Sequence, residues 1–240
     1  MKLWQTRKHW DIFAQTDPYW AVLSEPAKRG GKWEPEDFFA TGVAEIESLL
    51  RHAERCRPGL ARRDALDFGC GVGRLTQALA GRFERVTGID ISEEMLRLAR
   101  RHDQHADSVR YQHNSKSDLG CLPDDSFDFV LSMITLQHIK LAYVRRYLRD
   151  FVRICRPGGV LLLQMPATQP RKIPPLNPPT PWRIVKRWLR LSFPSVAKME
   201  MHALPRSEME ALLTGSGATV LDVVRLEESL FESYLYIAAK

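Results

Sequence analysis

Residues 65–76 read ALDFGCGVGRLT. An apolar run of strand type ends at the acid Asp67. Three glycines follow at alternate positions, Gly69, Gly71 and Gly73, and a helix-like run begins after them. Glycine lets the backbone turn sharply and approach a ligand that a β-carbon would push away. The free amides at the start of the next helix favour an anionic group. One strand and one helix later comes VTGID, ending on Asp90. An acid at the tip of the second strand is placed to hold a nucleoside ribose by its hydroxyls.

The spacing discriminates between ligands. A dinucleotide fingerprint, G-x-G-x-x-G, needs glycine at position 74, where this chain has Arg74. A nicotinamide-binding strand is usually apolar before the loop, and here it carries Asp67. A carboxylate there suits a ligand with an ammonium group and no pyrophosphate. S-adenosylmethionine has that profile: an amino-acid head, a ribose and an adenine. DFGCGVG followed by GID resembles the first motif and the ribose-binding acid of class I S-adenosylmethionine-dependent methyltransferases. Taken in isolation, the loop also reads as a plain strand–turn–helix.

The resemblance extends further along the chain. LPDDSFDFVLS and RICRPGGVLLL follow in the order and approximate spacing of the methyltransferase-domain family, over about residues 40–165. It implies an α/β, Rossmann-like fold. The sheet would have seven mostly parallel strands in the order 3-2-1-4-5-7-6, with helices on both faces. The resemblance also implies S-adenosyl-L-methionine as cofactor and S-adenosyl-L-homocysteine as product. The alternation of strands and helices after Ala65 independently argues for a parallel sheet with crossover helices.

Composition sets the outer bounds. The chain has 240 residues, 44% hydrophobic and 27% charged, ordinary for one globular α/β domain with some extra elements. No run approaches bilayer-spanning length, and MKLWQTRKHWDIF does not read as a signal peptide. Cys56, Cys70, Cys121 and Cys155 are far apart and form no C-x-x-C pair. That argues against a zinc site and fits a cytoplasmic setting. The net charge of +6 permits an acidic partner without requiring one. Neither an RNA-binding module nor an N-P-P-Y-type motif is recognisable, so nucleic acid is not the expected partner.

Residues 1–60 read as an N-terminal helical cap or arm, and 61–240 as the Rossmann-like domain. Trp4, Trp10, Trp20 and Trp33 fall in the first 34 residues, with Pro18, Pro26 and Gly30-Gly31 among them. Short helical turns are expected there, either sealing the core or closing over a ligand. Pro35 opens a longer helix to about Cys56, whose Phe38, Phe39, Val43, Ile46, Leu49 and Leu50 share one face. Residues 166–204, rich in proline, form an insertion after strand five, on the substrate side. Within it, residues 182–191 read as an amphipathic helix. It could be a lid, a peripheral contact with anionic lipid, or an oligomer contact.

The site residues follow from this frame. Gly69, Gly71 and Gly73 are expected to hold backbone near the methionine moiety, and Asp67 to order the loop and reach the ammonium. Asp90 is expected to accept the ribose hydroxyls, with Ile91 beside the adenine, Asn114 and Ser115 at its edge, and Met133, at the end of strand four, also on the cofactor. Methyl transfer to oxygen is helped by a base, for which His138 and His202 are the candidates. No metal is expected. The function expected is O-methylation of a small-molecule, sugar-linked or lipid-linked acceptor. Methylation of RNA or protein, and a non-catalytic cofactor-binding scaffold, are the alternatives.

Overall fold

A computed structural model describes residues 2–168, 197–226 and 232–240. Helix 182–191 of the sequence reading lies outside the described residues.

The sheet has seven strands in the order β3-β2-β1-β4-β5-β7-β6. Its members are β1 (Asp64–Phe68), β2 (Arg85–Asp90), β3 (Val109–His113), β4 (Phe127–Ser132), β5 (Cys155–Pro166), β6 (Thr219–Leu226) and β7 (Ser233–Ala239). β1 pairs in parallel with β2 and β4, while β7 runs antiparallel between β5 and β6. This is the order the resemblance implies. β4 is buried along its whole length, as a central parallel strand covered on both faces must be. Pro157–Gly159 lie inside β5. Pairing passes from Phe127–Cys155 to Phe129–Val160, so residues 156–159 loop out opposite Asp128.

Helices cover both faces. α3 (Pro35–Cys56), α4 (Arg74–Ala80), α5 (Glu93–His102), α6 (Leu141–Ile154) and α7 (Arg206–Gly215) flank the sheet, preceded by α1 (Leu3–Thr16) and α2 (Pro18–Val22). One core layer joins Ile46, Leu49, Leu50 and Ala53 of α3 to Ala65, Leu79, Phe129 and Leu162. α3, counted with the cap in the sequence reading, is therefore built into the sheet's own core. Val43 is 48% exposed and leaves the apolar face on which it was expected. α5 begins as its sequence indicates: Ser92 Oγ accepts from Met95 N at 3.1 Å, with Glu93 and Glu94 in the first turn.

The N-terminal region is more regular than short turns. α1 is a full helix of 14 residues. Trp10, Phe13, Tyr19, Trp20 and Val22 pack with Trp33, Phe38, Val72 and Met95 in a separate aromatic cluster. Asp11 Oδ1 accepts from Ser92 Oγ at 2.7 Å, tying α1 to the start of α5. Both ends of the insertion meet at the C-terminal end of β5, where Leu204 N donates to Pro166 O at 2.8 Å. Among the described residues no helix is long and apolar enough to cross a membrane.

Candidate active site

The C-terminal tips of β1, β2 and β4 converge on one cavity, where ligands enter an open α/β sheet. Its wall contains Asp67, Gly69, Gly71, Asp90, Ile91, Asn114, Met133 and His138. Leu3, Thr6 and Trp10 of α1 and Val22 of α2 close it from above. The cap therefore meets the site as well as the core.

The loop after β1 is anchored to β2: Gly69 N and Cys70 N both donate to Ile89 O, at 2.7 and 3.0 Å. Gly69 has φ +77°, and a β-carbon there would overlap the Thr135 side chain. The glycine is thus needed for backbone conformation and for space. On the opposing side Ile134 has φ +52°, rare for a β-branched residue, and its amide donates to Gln164 Oε1 at 2.7 Å. Strain of this kind tends to gather at functional sites.

Asp90 is 9% exposed. Its Oδ2 accepts from Gly71 N at 2.9 Å and its Oδ1 from Ser92 N at 2.8 Å. Burial pushes this carboxyl above its ordinary range, against the pull of those amides. The Ile91 amide also supports this carboxylate. A carboxylate has about four acceptor positions, so some capacity remains beyond these amides. Asp67 is buried and accepts from Thr76 Oγ1 at 2.7 Å. Burial pushes its carboxyl up to about 6.

His138 sits on the short turn Leu136–His138 after β4 and is 5% exposed. Its Nδ1 lies 2.7 Å from Glu200 O. A carbonyl only accepts, so Nδ1 carries the proton and Nε2 holds the lone pair. Gln137 Nε2 lies 3.3 Å from that Nε2, a long and weak contact. Burial pulls the imidazole down to about 4, so the ring is neutral near pH 7. Trp10 packs edge-on against it, with centroids 5.3 Å apart.

Three residues expected at the site are placed elsewhere. Gly73, with φ +84°, is the residue before α4, and a β-carbon there would meet Tyr111 Oη at 2.5 Å. It serves strand–helix packing. Ser115 is exposed beyond the tip of β3 and is not part of the cavity wall. The turn there is closed by Asn114, whose Nδ2 donates to Asp118 O and whose Oδ1 accepts from Lys116 N. His202 pairs with Glu200 at 3.3 Å and lies outside the wall formed by the described residues. Its backbone N donates to Gln137 O at 2.7 Å, so this stretch at the end of the insertion braces the His138 turn.

The sequence reading missed Thr6, Cys70, Arg74, Thr135, Ile139 and Tyr147 as wall residues. α1 had a readable signal, since Leu3, Thr6, Trp10 and Phe13 recur at three- and four-residue steps.

The sheet order, the glycine loop and the acid at the tip of β2 define the class I, S-adenosylmethionine-dependent methyltransferase architecture. A family model described as a methyltransferase domain matches residues 66–163. The ubiquinone biosynthesis O-methyltransferase of Thiobacillus denitrificans is 35% identical over 140 residues, 58% of this chain and 58% of that protein. The demethylmenaquinone methyltransferase of Tropheryma whipplei is 34% identical over 103 residues, 43% of this chain and 41% of that one. The chain thus spans about half the length of the curated relatives it matches. The magnesium protoporphyrin IX methyltransferase of Synechocystis, solved with bound S-adenosylhomocysteine, has a TM-score of 0.66 at 16% identity, covering 100% of both chains. At that identity the likeness is one of fold.

Proposed function

We propose that the protein transfers a methyl group from S-adenosylmethionine to a hydroxyl of a small, largely apolar acceptor. The observation that carries this is the Asp90 carboxylate, oriented by Gly71 N and Ser92 N in the cavity wall with acceptor capacity to spare. A ribose hydroxyl edge suits a charged acceptor held in this way. Ile91 and the turn at Asn114 then suit the adenine, and the Gly69–Gly71 backbone suits the methionine chain. These residues therefore fit the cofactor.

When bound, the cofactor supplies an activated methyl group on a sulfonium. The chain's own contribution is positioning, exclusion of water and handling of one proton. Trp10, Met133, Ile134, Ile139 and Tyr147 give the cavity an apolar side. His138 is neutral and has its lone pair on Nε2, the form a base needs. To take a proton from an acceptor hydroxyl, Nε2 must exchange its long contact with Gln137 for one with that hydroxyl. His202 acts, on this reading, by bracing the His138 turn. The names of the relatives, which concern ubiquinone biosynthesis and demethylmenaquinone, favour an acceptor with a hydroxylated, quinone-type ring.

The test is methyl transfer from radiolabelled S-adenosylmethionine to catechols, hydroquinones and sugars, with RNA and protein as controls. Label in a phenolic ether supports the reading. Transfer to RNA or protein, or binding without transfer to any acceptor, refutes it.

A further inference from the structure

Gln137 stands beside His138 on the turn Leu136–His138 and is buried. Its main chain is held: Gln137 O accepts from His202 N at 2.7 Å, and the next amide, His138 N, donates to Thr135 O at 2.9 Å. The side-chain amide is not tied in this way. Its Nε2 faces His138 Nε2 at 3.3 Å. Nδ1 of that ring donates to Glu200 O, so the ring nitrogen facing Gln137 holds a lone pair and the amide must present N–H to it. The other end of the amide, Oε1, is buried without a hydrogen-bond partner among the described residues. It is closed to solvent, so only a donor already inside the protein can meet it, and an unmet buried group is costly.

Proton transfer to the ring supplies that donor. Once Nε2 has taken a proton, the ring carries N–H on both sides. Nδ1–H keeps Glu200 O, and Nε2–H needs an acceptor of its own. The substrate oxygen, once methylated, is an uncharged ether and a poor partner. The terminal torsion of glutamine is broad and roughly two-fold. A half-turn of the Gln137 amide therefore exchanges Nε2 for Oε1 in nearly the same place. A long neutral contact becomes a charge-assisted one, and the unmet oxygen is met. Little else around the ring serves a positive charge: Trp10 packs on it edge-on, and its titratable neighbour is His202, itself paired with Glu200.

We infer that Gln137 is a positioning residue for the base, whose amide donates to neutral His138 and, after a half-turn, accepts from the imidazolium. This rests on the reading of His138 as base given above. The step balances. The acceptor's O–H bond breaks and its proton goes to Nε2. The freed electron pair on oxygen forms the bond to the methyl carbon, and the old methyl–sulfur pair stays on sulfur. The ring later yields its proton to water, and the amide turns back.

The experiment compares kcat, KM and S-adenosylhomocysteine affinity in the full-chain wild type, Gln137→Met, Gln137→Glu and His138→Ala, with thermal unfolding recorded for each. The acceptors are catechol and 4-nitrocatechol, at a pH where only the second is largely ionised and needs no base. Gln137→Met should lower kcat roughly tenfold more with catechol than with 4-nitrocatechol, the difference between a charge-assisted and a neutral bond. Its S-adenosylhomocysteine affinity should stay within about threefold of wild type. A packing role would slow both acceptors alike. If the Met variant does not fold, Gln137→Glu keeps an acceptor beside Nε2 whose charge favours the imidazolium. The acidic limb of its kcat/KM profile should then move up by about one pH unit or more. An equal loss on both acceptors, or an unmoved limb in the Glu variant, overturns the role of Gln137. His138→Ala turning over catechol like wild type overturns instead the base reading beneath it. A wild type that methylates neither phenol overturns the proposed acceptor.

Discussion

Asp90→Asn changes one oxygen into an NH2 group and nearly preserves shape. In the wild type, Gly71 N and Ser92 N each donate to a different oxygen of this carboxylate. An amide has one oxygen, so one of those buried donors must face an NH2 and lose its acceptor. An unmet buried donor costs about 1–3 kcal/mol, partly offset here because a buried charge is removed as well. The ribose side loses more. Two hydroxyl bonds to a charged acceptor become one bond to a neutral acceptor and one imposed donor. A charge-assisted bond contributes about 1.5–3 kcal/mol and a neutral one about 0.5–1.5. The net loss is roughly 2–3 kcal/mol, or about 30- to 150-fold in affinity. Titration with S-adenosylhomocysteine reads this directly, and thermal unfolding shows whether the fold persists. A change in Tm within several degrees is expected for a chain of this size. Affinity within threefold of wild type, in a folded variant, would refute the ribose assignment.

Other predictions concern pH, the loop and the cap. Between about pH 4 and 6 the folded chain keeps the Asp67 proton that the unfolded chain has lost, so this group makes stability fall as pH rises. Over about pH 4–6.5 the unfolded chain binds a His138 proton that the folded chain excludes, so this group makes stability rise with pH. Each effect is worth about 3 kcal/mol, and the two oppose each other. Relative to wild type, Asp67→Asn should make urea-denaturation stability rise more steeply with pH, and His138→Gln should make it fall. The same slope in both variants would refute the assignment. Gly69→Ala places a β-carbon against Thr135 at φ +77°. It should cost roughly 2–5 kcal/mol, and a Tm equal to wild type would contradict it. Asp11→Ala removes the bond from Ser92 Oγ. It should speed proteolysis within α1 and weaken cofactor binding by a few-fold, whereas a digestion pattern like wild type would show that the tie is idle.

Much of the sheet is legible because each parallel strand is an apolar run bounded by a turn residue. The tight loop at Gly69 is legible because close backbone approach at positive φ demands glycine. The misses have a common cause, which is that side-chain partners are set by contacts distant in sequence. Asn114 next to Ser115 reads as a pair of polar contacts, yet the Asn114 side chain closes the local turn and leaves Ser115 in solvent. Val43 fits the apolar period of α3 but falls where no element covers it. Arg74 reads in sequence as a negative sign against glycine, and its burial depends on Glu45 and Thr41 of α3.

The cavity's assignment is tested most directly by calorimetric titration of the wild-type protein with S-adenosylhomocysteine, run beside NADH. One S-adenosylhomocysteine per chain with a Kd of roughly micromolar or tighter, and no heat from NADH, is expected. Saturable binding of NADH in its place, or no binding of S-adenosylhomocysteine to folded protein, would contradict it.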